Sequence, residues 1–153
     1  MFEQIRQNVH NAINALKQGK GVVVIDDYDR ENEGDLILPG EMATQENIAF
    51  MLQHTSGIIC LAMNSLQANK LQLTPMVAAD KNNSTFETAF TVTIEAKEGV
   101  TTGASAKDRA HTIQVAAKAS TKASDLARPG HIFPLIANDK GVLGHNGHTE
   151  ATC

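Results

Sequence analysis

Short apolar runs set between stretches of helical spacing constrain this chain more than any other feature, because a period near two and a period near 3.6 cannot be met by one kind of element. Phe2, Ile5, Val9, Ile13 and Leu16 recur at helical spacing, and Gly19 and Gly21 follow where a helix would stop. The run GVVVIDD is β-branched, continuous and ends in two aspartates, the pattern of a strand buried on both faces that empties into a polar loop. Leu36 to Leu38 restart a strand before Pro39 and Gly40, Thr44 can cap a helix reaching about Gln53, and residues 57–63 read as another buried strand. Leu66 to Leu71 make a short helix, and Phe90, Val92 and Ile94 alternate with Thr91, Thr93 and Glu95 as in a half-buried strand. Ser105 and Asp108 have capping-box spacing and open a helix through about Ala119, after which an apolar stretch runs from Ile132 to Ile136. The order is mixed α and β. No internal repeat, low-complexity tract or linker divides the 153 residues, which suit one domain over 1–153.

Composition narrows the partners. Thirteen basic against seventeen acidic residues give a net charge of -4, with no basic stripe or aromatic cluster of the kind nucleic acid requires. No apolar run is long enough to span a bilayer, and the N-terminal segment lacks a signal peptide's apolar core, so a cytoplasmic protein is expected. The two cysteines, Cys60 and Cys153, form no C-x-x-C pair; Cys60 reads as a small buried hydrophobe on a strand.

Three polar constellations carry candidate chemistry. Residues 26–35, DDYDRENEGD, place six carboxylates and one arginine between two apolar strands. Charge runs are usually solvated, but one held by rigid strands can present a carboxylate to a cation beside an arginine that faces an anion. An EF-hand is excluded because its twelfth position is Gly40 instead of a bidentate Glu, and a metal held here would be a hard ion, Mg²⁺ or Mn²⁺. Residues 99–109, GVTTGASAKDR, are a hydroxyl-rich turn leading into a helix N-terminus. That is either an anion site for phosphate or a helix cap with exposed hydroxyls. The third comprises His131 in RPGH and the segment His145, Asn146, Gly147, His148, Thr149 and Glu150. Zinc on His145, His148 and Glu150 is disfavoured by the absence of cysteine partners and of H-E-x-x-H; isolated histidines are more often structural than catalytic, but in Gly-rich loops beside short strands they serve as metal ligands or proton carriers near neutral pH.

DDYDRENEGD, SGIICL, FTVTIEAKEGVTTGASAKDR, RPGHIFPL and GHTEAT, in that order, closely resemble the 3,4-dihydroxy-2-butanone 4-phosphate (DHBP) synthase family from about Phe2 to Thr152. The resemblance implies an α+β fold, a mixed sheet with flanking helices, and homodimers with active sites at the subunit interface. It implies a lyase of riboflavin biosynthesis that converts D-ribulose 5-phosphate to L-3,4-dihydroxy-2-butanone 4-phosphate and formate with Mg²⁺ or Mn²⁺. Carried over by motif, Glu31 and His148 hold metal, and His131 is an essential acid or base. Arg30, Glu31, Asp35, His145, Asn146, Gly147, His148 and Thr149 contact the substrate, Thr149 near its phosphate. Glu33 and Asp35 are further candidates for moving protons.

Two departures accompany the resemblance. The family usually has an arginine where this chain has His145, and an imidazole does not reproduce the guanidinium's fork, so a weaker phosphate grip is expected. The family also continues for several dozen residues past GHTEA, through a region that supplies an essential glutamate. The domain over 1–153 is C-terminally incomplete relative to the family, and exposed apolar surface and sheet edges are expected. The alternative function is a truncated, non-catalytic relative that binds the sugar phosphate without turning it over.

Overall fold

The computed structural model describes residues 2–153. Its first element, α1 (Phe2–Lys17), is the helix that the 3.6-residue spacing predicts, yet none of its residues is buried. Phe2, Ile5, Val9 and Ile13 form an exposed apolar stripe. The chain then forms a hairpin, β1 (Val22–Ile25) paired antiparallel with β2 (Gly34–Ile37), the register running from Val22 opposite Ile37 to Ile25 opposite Gly34. The expectation that the GVVVIDD run is buried on both faces fails. Val23 is 62% and Ile25 72% exposed, because the hairpin is a separate two-stranded sheet with only one face turned inward. The acidic loop, residues 26–33, is the tip of this hairpin.

The second sheet is mixed, as expected for an α+β fold. Its order is β3-β5-β4, with β3 (Cys60–Met63) parallel and β4 (Ile94–Ala96) antiparallel to the central β5 (Leu126–Ile136). Helices α2 (Gln45–His54) and α4 (Ala106–Ala117) pack against one another, and α4 lies on β4 and β5. Ile48, Ile94, Ile113 and Ile132 meet there with Met63, Leu71 and Ala116 in the core. Burying each of these aliphatic side chains contributes about 1.5–3 kcal/mol before the cost of ordering it. A third helix, α3 (Ser65–Lys70), places Ala68 in the core, and Leu71, just past its end, is fully buried there too.

Helix starts follow the capping residues. Thr44 Oγ1 accepts from the Asn47 amide, Asn64 Oδ1 from Gln67 and Ser105 Oγ from Asp108, each cap stabilising by about 1 kcal/mol. The strand expected from alternation at 90–95 is shorter. Only Ile94–Ala96 form β4, while Phe90 and Thr91 make isolated bridges to Leu135 and Pro75. Thr91, expected on the polar face, is fully buried because its hydroxyl bonds the Pro134 and Val92 carbonyls. Similarly, only Cys60–Met63 of the 57–63 run is strand, although Ile59 is buried. The final polar segment forms a short helix, α5 (His148–Thr152), which packs on β3 and β1.

Candidate active site

The hairpin loop folds around Asp26. Its Oδ2 accepts from Arg30 Nη1 at 2.9 Å and the Glu31 amide at 3.0 Å, and its Oδ1 accepts from the Glu33 amide at 3.0 Å. Burial of the carboxylate works to raise its pKa, but the Glu33 amide, Arg30, the Glu31 amide and nearby His148 outweigh it and bring the group down to about 2. Asp26 is thus ionised and fully engaged, and its bonds aim the Glu31 side chain. Arg30 also meets Glu31 Oε1 at 3.3 Å and lies over the Phe86 ring, 5.0 Å from its centroid.

α5 brings His148 to this loop. Its Nδ1 stands 3.4 Å from Glu31 Oε2 and 3.8 Å from Asp35 Oδ2, while its Nε2 is buried and has no hydrogen-bond partner. The nitrogen that faces the carboxylates is Nδ1, so it is the ring atom placed to share a cation with Glu31. Asp26, Glu31 and His148 each offer a ligand atom, all within 4.8 Å of one another. Two carboxylates and one imidazole suit Mg²⁺ or Mn²⁺. The Asp26 oxygens already accept three bonds, which leaves Glu31 and His148 as the less engaged of the three groups that could hold an ion.

Asp35, Cys60, His148 and Thr149 line one cavity of about 630 Å³, floored by Leu36, Leu61 and other apolar side chains. Cys60 opens onto this cavity instead of being buried as expected. The surrounding protein desolvates its thiol and the Asp35 charge adds to the effect, pushing its pKa up to about 11. A thiol protonated at neutral pH is no nucleophile.

The remaining candidates are placed differently. His145 Nδ1 bonds Glu150 Oε2 at 2.8 Å, and Glu150 Oε1 accepts from the Asn138 amide at 2.8 Å. This pair, with Glu150 buried and His145 exposed, supports the 138–150 turn, so His145, His148 and Glu150 do not converge as the zinc alternative would require. Burial would raise the Glu150 pKa, yet the Asn138 amide and His145 hold it below its ordinary value. Gly147 is buried against the same pair, a Cβ there lying 2.7 Å from Glu150 Oε2, and Asn146 is exposed. His131 does not line the cavity. Its Nδ1 instead meets Glu95 Oε2 at 2.6 Å.

Of the two readings of residues 99–109, the cap fits. Asp108 Oδ2 accepts from the Thr101 hydroxyl and from the Thr101 and Gly103 amides, so the turn's donors face the chain's own carboxylate. The Thr101 hydroxyl bond is the largest influence lowering the Asp108 pKa; burial opposes it, and the two amides and Ser105 add to it.

Asp26 and Glu95 are the residues that pattern reading missed. Asp26 was one of six carboxylates with nothing in the spacing to single it out. Glu95 sits at a position that alternation assigns to a solvent face.

Fold and site together define an α+β protein in which two carboxylates and an imidazole that could hold a metal ion converge, the imidazole also lining a cavity. Residues 10–153 match the 3,4-dihydroxy-2-butanone 4-phosphate synthase family, and the chain belongs to it. It is 56% identical to the 3,4-dihydroxy-2-butanone 4-phosphate synthases of Vibrio atlanticus and Shewanella frigidimarina over 94% of its length, and it spans 65% of the length of each. Among solved structures, it superimposes with a TM-score of 0.91 and 43% identity on a 3,4-dihydroxy-2-butanone 4-phosphate synthase in complex with two magnesium ions, covering 94% of this chain and 66% of that one. Among the described residues, no helix is long and apolar enough to cross a membrane.

Proposed function

We propose that this protein is a lyase of riboflavin biosynthesis that converts D-ribulose 5-phosphate to L-3,4-dihydroxy-2-butanone 4-phosphate and formate, with Mg²⁺ or Mn²⁺ as cofactor. The observation that carries the reading is the meeting of Glu31 with buried His148, whose Nδ1 faces the carboxylates of Glu31 and Asp35, with Asp35, His148 and Thr149 lining one cavity. A bound divalent cation polarises a ketone and makes the adjacent C–H more acidic.

The chain's own groups supply the rest. Glu31 and His148 hold the ion, Asp26 fixes the backbone that presents Glu31, and Arg30 balances the carboxylate charge. Asp35 and Thr149 contact the sugar phosphate from the cavity wall, and His145, Asn146 and Gly147, in the turn that precedes His148, are the further candidates for contact. Substrate and products contain the same atoms, so the reaction needs no oxidant or reductant, only bond migration and proton transfers. His131 takes and returns protons, assisted by Glu33 and Asp35.

We infer a cytoplasmic protein, and a homodimer on two grounds. His131 does not line its own chain's cavity, and the apolar stripe of α1 is uncovered. Formate release from ribulose 5-phosphate, with Mg²⁺ and with chelator, tests the whole reading. Metal-dependent formate that disappears in Glu31→Ala is the expected result. A folded chain that binds the sugar phosphate and releases no formate would overturn the lyase and leave a binding relative.

A further inference from the structure

At the junction of β4 and β5 the ladder slips. Ile94 pairs with Ile132, but the next residue, Glu95, pairs with Ala127, so residues 128–131 of the central strand are looped out at a bulge. Bulges re-aim side chains that a regular ladder would direct elsewhere. Gly130 makes this one possible: a Cβ there would fall 2.1 Å from the Ile94 carbonyl, and its amide donates to Thr93 Oγ1 at 3.0 Å. The bulge turns His131 back on Glu95, with 2.6 Å between Nδ1 and Oε2.

The carboxylate is itself held in place. Gly103, with φ of +79°, packs directly on it, and a Cβ at that position would lie within 1.9 Å of both Glu95 oxygens. The Gly103 amide is tied to Asp108, so the floor beneath Glu95 is fixed. The Glu95 side chain is 16% exposed and that of His131 is 42% exposed. One end of the imidazole is therefore anchored inside while the ring reaches solvent.

We infer that Glu95 is a positioning residue for His131. It accepts a proton-bearing Nδ1, fixes that tautomer and leaves Nε2 free to accept or return a proton. The physics is that of any carboxylate–imidazole pair: the bond to one ring nitrogen decides what the other can do. The inference deepens the reading of His131 as the acid–base group and rests on it for its catalytic meaning.

The test combines proton–nitrogen correlation spectra of the His131 ring, at a pH where it is neutral, with steady-state formate release. Glu95→Ala, isosteric Glu95→Gln and Glu95→Asp are compared with the parent, each after its thermal transition is checked. The parent is expected to hold the proton on Nδ1, and Ala and Gln to shift it toward Nε2. In those two variants kcat is expected to fall on the order of 10- to 100-fold, with KM within about twofold. Asp restores part of both readouts. An unchanged tautomer in Ala and Gln would overturn the pairing, and a shifted tautomer with unchanged kcat would overturn its part in the reaction. Absence of formate from the parent would overturn the lyase reading, while the ring spectra would still decide what Glu95 does.

Discussion

Gly130→Ala tests how the fold makes the site. The added methyl would sit 2.1 Å from the Ile94 carbonyl carbon and oxygen and 2.5 Å from the Glu95 amide, against the 3.4 Å at which ordinary contact begins. All three atoms are backbone of a paired strand, so no side chain can swing aside; β4 and β5 must part by roughly an ångström beside the fully buried Ile94 and Ile132. Overpacking of this kind costs about 1–3 kcal/mol, and loss of the Gly130 to Thr93 hydrogen bond adds about 1 kcal/mol. At roughly 2–4 °C per kcal/mol for a chain of this size, Tm should fall by about 5–15 °C, read by circular dichroism. Gly57→Ala is the contrast: φ is +80° but nothing lies within 4 Å of the new Cβ, so only the backbone penalty of about 1 kcal/mol applies. The packing argument would be refuted if Gly130→Ala melted within 2–3 °C of the parent (roughly 1 kcal/mol on the same scale), or if Gly57→Ala were the more damaging change.

Acid should destabilise the metal-free protein. Asp26, Asp108 and Glu150 all have native pKa values below their ordinary ones. Their contributions are therefore fully present above the ordinary carboxylate range and are lost as pH falls through the native values, for Asp26 from 3.8 down to about 2. Thermal melts in chelator from neutral to acid pH should show Tm falling through that range, and a Tm that held or rose would contradict the assigned hydrogen bonds. With its thiol pushed up to about 11, Cys60 should alkylate far more slowly than a free thiol at neutral pH and accelerate as pH approaches that value. Mass spectrometry that found Cys60 modified as fast as glutathione would contradict the desolvated setting.

Local features of the fold were legible wherever neighbours in sequence decide them. The Thr44 and Ser105 caps, the α1 spacing and the Ile132 to Ile136 strand all follow from short-range rules. The errors have tertiary causes. GVVVIDD pairs only with β2 and stays half exposed, and Thr91 is buried because its hydroxyl meets the β5 carbonyl of Pro134 and that of neighbouring Val92. The cation site divides in the same way. Its acidic half could be read as a cluster between strands, but the approach of His148 depends on α5 packing against β3 and β1. Only the resemblance joined Glu31 to His148. Neither pattern nor resemblance reached Glu95, whose role depends on a register slip that alternation does not encode.

The cation site is the claim on which the proposed chemistry stands, and Mn²⁺ titration followed by electron paramagnetic resonance tests it most directly. The parent should take up Mn²⁺ in competition with Mg²⁺, and Glu31→Ala and His148→Ala should each weaken uptake by at least about tenfold while remaining folded. Unchanged Mn²⁺ affinity in both variants would mean that the ion binds elsewhere, and the assignment of Glu31 and His148 as its ligands would be wrong.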